Sequence, residues 1–336
     1  MTRPALRGRT SPPVSRPRAV SDSIAASYRV NDWLEQFEGH RSSLVKQIAY
    51  AALRPLLHLE ARRWLSDTIV SAGAPVTVLR ERGFPIESRR RWALAGLDVS
   101  NSVILVQGTG SGWDVLTWAR LRPKRIIATD LFAFDAWAEI SRYAAAKWHV
   151  ACEFHQAPLE DHAFLADGSI DACVSDAVFE HCRNLDAVLA ETRRVLKPGG
   201  RLYAAYGPLW FSPGGDHYSG RGGPHTLYNH LLLPTVEYKA YVESQQQDVE
   251  DFQNGYRYIE LDLFSRMTTG DYLRAYHNRG FAVDELILEL SSTGLRFRTM
   301  FPEQYERLLE ALSGKCVPDD LIVKANLVKL TRAGAA

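Results

Sequence analysis

Val106-Gln-Gly-Thr-Gly-Ser-Gly112 is the stretch that decides the fold of this 336-residue chain. It directly follows an apolar run, Ser102–Val106, and directly precedes a helical pattern that begins at Trp113. Glycines at a strand-to-helix turn let the backbone turn tightly and let a ligand approach main-chain N–H groups, because no Cβ stands in the way. The loop therefore predicts a ligand site at the carboxyl end of this strand.

The spacing of the glycines narrows the choice of ligand. A dinucleotide fingerprint would place its third glycine where Trp113 stands, so the GxGxG spacing disfavours a pyrophosphate cradle. No Gly-Lys-Ser/Thr sequence follows, which excludes a P-loop. Asp130 ends the second predicted strand, where an acid can accept both hydroxyls of a ribose or cap a following helix. Together with the glycine loop one strand upstream, Asp130 favours the ribose.

Short β-rich runs alternate with helical patterns from Val103 onward. The predicted strands are Ser102–Val106, Arg125–Thr129, Ala151–His155, Ile170–Ser175, Arg201–Ala205, Phe281–Leu290 and Leu321–Thr331. The predicted helices among them are Trp113–Arg120, Phe132–Trp148, Leu185–Leu196, Thr269–Arg279 and Pro302–Leu312. Strands that are buried on both faces and alternate with helices indicate a parallel, right-handed βαβ sheet, and thus the α/β class.

The rest of the chain divides by composition. The first 20 residues hold five arginines, four prolines and no acidic residue, so we predict a flexible basic tail over residues 1–22. Residues 23–98 have apolar positions at helical spacing and are predicted to form an N-terminal helical cap. Residues 99–336 form the predicted α/β domain, interrupted by an insertion at 206–265 that is rich in glycine and aromatic residues.

Charge and cysteine content limit the kinds of partner and the cellular compartment that we expect. The formal net charge of +1 gives no global field for nucleic acid or an anionic membrane. No apolar run is long enough to span a bilayer and no secretory signal is recognised. The cysteines, which lack paired CxxC spacing, are predicted to be reduced thiols in a cytoplasmic protein, with no metal site. They are Cys152, Cys173, Cys182 and Cys316.

From Val103 to Tyr206 the sequence resembles a class I S-adenosylmethionine-dependent methyltransferase of the small-molecule type. The glycine loop matches that family's first motif and Asp130 its ribose-binding acid. Three later segments match in the same order: Asp167-Gly-Ser-Ile-Asp171, Ala177-Val-Phe-Glu-His181 and Arg194-Val-Leu-Lys-Pro-Gly-Gly200. The resemblance implies S-adenosylmethionine as cofactor. It also implies a Rossmann-like, doubly wound, mostly parallel seven-stranded sheet with an antiparallel last strand.

The resemblance also implies which residues bind the cofactor. They are Gln107, Gly108, Thr109, Gly110, Gly112, Asp130, Leu131, Leu159, Glu160, Ser175 and Ala177. Gln107 stands where the family usually has an acid that reaches the cofactor's amino group; glutamine still accepts a hydrogen bond, but without a full charge. Where the family often places an acid against the adenine, this chain has Pro158-Leu159, so Leu159 could pack on the ring, with Glu160 or Asp161 as alternatives.

Methyl transfer further needs an aligned acceptor and, where the acceptor carries a proton, a base. His217 in the insertion is the first candidate for that base, followed by His181 and His225. His230, Tyr218 or no base at all remain alternatives. The glycines and aromatic residues of the insertion predict a lid that binds the acceptor. Alternatively, these aromatic residues only pack the insertion against the N-terminal helices.

The predicted function is transfer of a methyl group from S-adenosylmethionine to an oxygen atom of a small-molecule or sugar-like acceptor. A catalytically silent binding or scaffold protein on the same fold is one alternative. An NAD(P)-dependent oxidoreductase is another, against which Trp113 and the segment Lys197-Pro-Gly-Gly200 argue. A nucleic-acid substrate is disfavoured, because the insertion lacks a basic stripe with interleaved aromatic residues.

Overall fold

The computed structural model describes residues 43–66, 69, 74–81, 84–245 and 256–334. The predicted tail at 1–22, and the part of the predicted cap before residue 43, lie outside these residues. The strands are β1 (Val76–Arg80), β2 (Val103–Gln107), β3 (Arg125–Asp130), β4 (Ala151–Gln156), β5 (Ile170–Asp176), β6 (Leu196–Tyr206), β7 (Phe281–Leu290) and β8 (Val323–Arg332). The α-helices are α1 (Leu44–Arg62), α2 (Ile86–Ala93), α3 (Trp113–Ala119), α4 (Trp137–Trp148), α5 (Leu185–Val195), α6 (Asn229–Leu232), α7 (Thr235–Ser244), α8 (Tyr256–Glu260), α9 (Thr269–Asn278), α10 (Ser292–Met300) and α11 (Pro302–Ala311).

All the strands belong to one eight-stranded sheet in the order β1-β7-β8-β6-β5-β2-β3-β4. β8 is antiparallel to β6 and β7, and every other neighbouring pair is parallel. The predicted fold class, a doubly wound and mostly parallel sheet with an antiparallel last strand, is confirmed. The strand order reverses between β2 and β5, and in open α/β sheets ligands bind at the carboxyl ends of the strands at such a point.

The sheet has one strand more than predicted. β1 lies inside the region predicted to be a helical cap, 23–98, and pairs in parallel with β7. An all-helical interpretation was therefore wrong at Val76–Arg80, whose β-branched residues suit a pleated, half-buried surface. Helix α1 protects this edge strand: the Val78 N–H donates a hydrogen bond of 2.9 Å to His58 Nδ1, and Arg54 donates one of 3.2 Å to Thr77 Oγ1.

Apolar side chains fill both faces of the sheet. Along β2, Leu105 belongs to the cluster that includes Val188 and Leu189 of α5. Ile104 and Val106 belong to the cluster that includes residues of α3 and α4. This alternation follows from the two-residue period of a strand.

The insertion packs on the C-terminal helices. Phe211 and Tyr228 share a buried cluster with Phe297 of α10 and with Tyr305 and Leu308 of α11. One alternative expected from the sequence was that these aromatic residues pack on the N-terminal helices. Phe211 and Tyr228 instead pack on α10 and α11. Other aromatic residues of the insertion lie next to the carboxyl edge of the sheet and are described with the site.

Candidate active site

The glycine loop after β2 is bound to the end of β3 by its own backbone. The N–H groups of Gly108 and Thr109 donate hydrogen bonds of 2.8 and 3.0 Å to the Thr129 carbonyl. The Gly110 N–H donates one of 2.7 Å to Asp130 Oδ2, and Trp137 Nε1 donates one of 2.8 Å to the Gly110 carbonyl. The two motifs recognised in the sequence therefore form one rigid unit.

Three glycines of this loop have positive φ but serve different purposes. A Cβ on Gly108 would lie 2.3 Å from Val178 Cγ2, and one on Gly112 would lie 2.5 Å from Ile140 Cδ1, so both positions need glycine for packing. A Cβ on Gly110, with φ of +51°, would meet nothing within 4 Å. The surface over Gly110 is thus open, as a loop that lets a ligand approach its backbone requires.

Asp130 has the acceptor capacity that a ribose needs. Its Oδ1 accepts a hydrogen bond of 3.0 Å from the Phe132 N–H, and its Oδ2 accepts the one from Gly110. The Leu131 N–H is a third backbone donor to this carboxylate, whose two oxygens have about four lone-pair sites, so acceptor capacity remains for a ligand hydroxyl. Burial raises the pKa of Asp130, against the effect of these backbone donors. It does not cap α4, which begins at Trp137, and the neighbouring Leu131 side chain is 49% exposed at the rim.

At the ends of β2 and β5 the predicted cofactor residues are largely buried. Gln107 Nε2 donates a hydrogen bond of 3.0 Å to Thr192 Oγ1, whereas its Oε1 is buried without a hydrogen-bond partner in the described chain. Thr109 Oγ1 is likewise buried without a hydrogen-bond partner in the described chain. Ser175 Oγ donates to the Gln107 carbonyl at 3.3 Å. Ala177 is exposed with φ of +56°, a strained conformation for a residue with a Cβ, of the kind that clusters at functional sites.

The segment after β4 was predicted to contact the adenine through one of three residues. Leu159 is 9% exposed and belongs to the main core cluster, so most of its surface is already used in packing. Asp161 Oδ1 accepts a hydrogen bond of 3.0 Å from the Ala163 N–H. Glu160 is exposed. A contact from this segment to the adenine stays a prediction.

His181 and His217 lie together although 36 positions separate them in the sequence. Their rings stack with centroids 5.0 Å apart, and Tyr258 stacks on His181 at 3.9 Å with an interplanar angle of 8°. Phe264 contacts both imidazoles. We call His181, His217, Tyr258 and Phe264 the aromatic cluster; it joins the turn after β5 to two parts of the insertion.

Burial keeps both imidazoles of the aromatic cluster uncharged. It lowers the pKa of His181 to about 3 and that of His217 to about 4. Nδ1 of His181 donates a hydrogen bond of 2.8 Å to the Leu263 carbonyl. His217 Nε2 is buried and has no hydrogen-bond partner among the residues described. His217 Nε2 thus keeps an unused hydrogen-bonding site.

The other predicted histidines are not part of this arrangement. His225 lies exposed on the 3₁₀ turn Pro224–Thr226, outside the aromatic cluster. His230 is buried, with Nε2 donating a hydrogen bond of 2.7 Å to the Trp210 carbonyl and Nδ1 lying 3.0 Å from Ser219 Oγ. Asp216 accepts hydrogen bonds from Ser219 and from the Tyr238 hydroxyl. These contacts indicate that His230 and Asp216 stabilise the insertion.

Glu180 is the residue whose environment the sequence did not predict. It is 3% exposed, on the 3₁₀ turn Phe179–His181, and burial raises the pKa of its carboxyl to about 8. Its Oε1 accepts a hydrogen bond of 2.8 Å from the Gly207 N–H, and its Oε2 is buried without a partner in the part of the chain described. The Glu180-His181 pair is visible in the sequence as the end of the matching segment Ala177-Val-Phe-Glu-His181.

Comparison with known proteins identifies the domain to which this site belongs. Residues 105–204 match a family model described as a methyltransferase domain, and this range contains the glycine loop, Asp130 and Glu180. The chain contains a class I methyltransferase domain. The predicted family is confirmed, and methyltransferase domains of this class use the predicted cofactor, S-adenosylmethionine.

Two known proteins are similar in sequence to parts of this chain. A malonyl-[acyl-carrier protein] O-methyltransferase of Yersinia pestis is 35% identical over 114 residues, which are 34% of this chain and 40% of that protein. An uncharacterised 37.1 kDa protein of a Streptomyces fradiae transposon is 48% identical over 221 residues, 55% of this chain and 62% of that protein. The chain thus spans less than two thirds of either relative. The crystal structure of a Mesorhizobium loti S-adenosylmethionine-dependent methyltransferase has a TM-score of 0.43 at 17% identity, covering 74% of this chain and 98% of that one.

Two further observations concern predictions outside the site. Among the residues that the structure describes, no helix has both the length and the hydropathy to cross a membrane. All four cysteines are free and three of them are buried. Burial raises the pKa of Cys152 to about 12, which keeps this thiol protonated.

Proposed function

We propose that this methyltransferase transfers the methyl group of S-adenosylmethionine to an oxygen atom of a small-molecule or sugar-like acceptor. The observation that carries the proposal is Asp130, which holds the glycine loop at Gly110 and keeps acceptor capacity for a ligand hydroxyl. The open surface over Gly110 supports the same placement. The Yersinia pestis relative is named an O-methyltransferase, which supports oxygen as the atom that is methylated.

The residues at the sheet edge fit the cofactor in chemical type. Asp130 would accept the two ribose hydroxyls, and the exposed Leu131 would contact an apolar face of the nucleoside. Gly108 and Gly112 shape the loop, while Thr109 and Gln107 each offer a buried oxygen without a partner among the described residues. When bound, S-adenosylmethionine supplies a methyl group that its sulfonium makes electrophilic. Glu160, Ser175 and Ala177 complete the proposed set.

The aromatic cluster would hold the acceptor. Flat aromatic faces and uncharged imidazoles suit an uncharged acceptor, because they offer apolar contact and single hydrogen bonds. His217 Nε2 can accept the hydrogen bond of an acceptor hydroxyl and orient its oxygen. The insertion at 206–265 would act as the lid, since it supplies three of the four members of the cluster. His225, exposed on its turn, would contribute only if that turn moved.

Titration with S-adenosylhomocysteine tests the proposal directly. Asp130→Ala removes the acceptors for two hydroxyls, and hydrogen bonds to charged groups contribute roughly 1.5–3 kcal/mol each, so affinity should fall at least ~10-fold. Asp135→Ala, an exposed acid five positions later, is the matched control and should bind as the wild type does. Absence of binding by the folded wild type would favour the catalytically silent scaffold instead.

The acceptor is to be found by transfer of a labelled methyl group. A small-molecule extract of the producing cells is incubated with the protein and methyl-labelled S-adenosylmethionine, and the labelled product is analysed by mass spectrometry. Label on a hydroxyl oxygen of a small molecule is expected; label on a carbon or nitrogen atom would contradict methylation at oxygen. The free cysteines support the further proposal of a reducing, cytoplasmic location.

A further inference from the structure

Glu180 is fixed by three parts of the chain at the carboxyl edge of the sheet. Its Oε1 accepts the Gly207 N–H, which comes directly after β6, at 2.8 Å. Its backbone carbonyl accepts the Ser265 N–H of the insertion at 2.8 Å. Its own turn follows β5. The carboxyl is therefore held in one place, beside the strands that border the proposed acceptor site.

The second carboxyl oxygen of Glu180 has no function within the fold. Oε2 is buried and makes no hydrogen bond to any described residue. A buried polar atom without a partner lowers stability, so its presence calls for an explanation such as a ligand or a role in catalysis. An apolar side chain at this position would stabilise the fold more, provided that another group accepted the Gly207 N–H.

The groups around Glu180 supply no positive charge to offset its burial. The titratable groups that interact with it are Asp176 on β5, Cys182 on the adjoining turn, Tyr206 on β6, Tyr258 on α8 and Tyr272 on α9. Each of these is neutral or acidic, and the adjacent His181 is uncharged. A carboxyl in such surroundings takes up a proton readily.

Tyr258 connects Glu180 with the proposed cofactor site. Its phenol interacts electrostatically with both Glu180 and Asp130, and its ring stacks on His181. Glu180 therefore lies on the same side of the sheet edge as the ribose acid and the aromatic cluster. A hydroxyl held by His217 would be on this side as well.

We propose that Glu180 is the catalytic base, which takes the proton of the acceptor hydroxyl through Oε2. This inference rests on the proposed function. The step requires the carboxylate form of Glu180, which prevails above about pH 8: as the acceptor oxygen forms its bond to the methyl carbon and the carbon–sulfur bond breaks, the hydroxyl proton moves to Oε2. The carboxylic acid so formed returns the proton to solvent after product leaves. His217, with a pKa of about 4, is a much weaker base at neutral pH and is left with orienting the hydroxyl.

Glu180→Gln separates this role from a structural one. Glutamine keeps an oxygen in place for the Gly207 N–H but cannot take the proton, so the fold and cofactor binding should persist while transfer falls by ~10²–10⁴. Glu237→Gln, at an exposed position on α7, is the matched control. Three quantities are measured: affinity for S-adenosylhomocysteine, initial rate of label transfer to the small-molecule extract, and the infrared carboxyl band between pH 6 and 10.

The outcomes distinguish the two proposals. A carboxyl band that titrates near pH 8 in the wild type and vanishes in Glu180→Gln, together with lost transfer and kept binding, supports the base. Equal transfer rates, absence of that band, or loss of S-adenosylhomocysteine binding in Glu180→Gln would overturn it. A folded wild type that binds no S-adenosylhomocysteine or transfers no label would instead refute the proposed function.

Discussion

The Gly110 N–H donates a hydrogen bond of 2.7 Å to Oδ2 of Asp130, and this contact joins the ends of two adjacent parallel strands. The glycine loop and Asp130 are therefore positioned by each other, without help from a cofactor. Preorganisation of this kind reduces the ordering cost of binding. It also makes the loop sensitive to single methyl groups, in ways that differ between its glycines.

Gly110→Ala should weaken cofactor binding more than it weakens the fold. The added methyl projects into open space where the ligand would approach, while the left-handed backbone costs ~1–2 kcal/mol. Gly112→Ala would bring its methyl to 2.5 Å from Ile140 Cδ1 and should lower the free energy of unfolding further. Titration with S-adenosylhomocysteine and urea denaturation of both variants check the contrast. Unchanged affinity in Gly110→Ala would place the cofactor elsewhere.

His217→Ala should lower the rate of methyl transfer without changing its pH dependence. The variant removes the nitrogen that orients the acceptor hydroxyl, but leaves Glu180 to take the proton. Initial rates between pH 6 and 9 test this, with the exposed His277→Ala of α9 as control. A drop of ~10²–10⁴ that also removes the pH dependence would return the role of base to His217, as the sequence predicted.

His58→Ala tests the edge strand that the sequence did not predict. The variant deprives the buried Val78 N–H of its acceptor, and an unsatisfied buried donor costs roughly 1–3 kcal/mol. The free energy of unfolding should fall by about that amount, as measured by urea denaturation. Arg63→Ala, at the exposed end of α1, is the control and should stay close to wild type. Equal stability of both variants would show that α1 does not protect β1.

Local sequence predicted those parts of the fold that depend on local pattern. β7 has the predicted bounds, Phe281–Leu290, because its aromatic and aliphatic residues, which suit a half-buried strand, directly follow the turn residue Gly280. β1 was missed because its five residues become a strand only by pairing with β7, more than 200 positions later. At the site, the glycine loop and Asp130 are near in sequence and were recognised together. The burial of Glu180 depends on Gly207, Ser265 and Tyr258, which no local pattern brings together.

Glu180 should also make the free energy of unfolding fall as the pH rises from 4.5 towards 8. Its pKa is about 8 in the folded protein against 4.5 for the ordinary carboxyl, so between these values the folded state holds a proton that the unfolded chain has released. Its contribution is therefore complete below pH 4.5 and is lost as pH rises through 8, by ~1.4 kcal/mol per unit at most.

Glu180→Gln has no proton to lose, so its free energy of unfolding should exceed that of the wild type at pH 8 and approach it towards pH 5. Urea denaturation of both proteins at pH 5, 6.5 and 8 measures the difference. A difference that stays constant over this range would mean that Glu180 titrates as an ordinary carboxyl, and the proposed base would lose its chemical support.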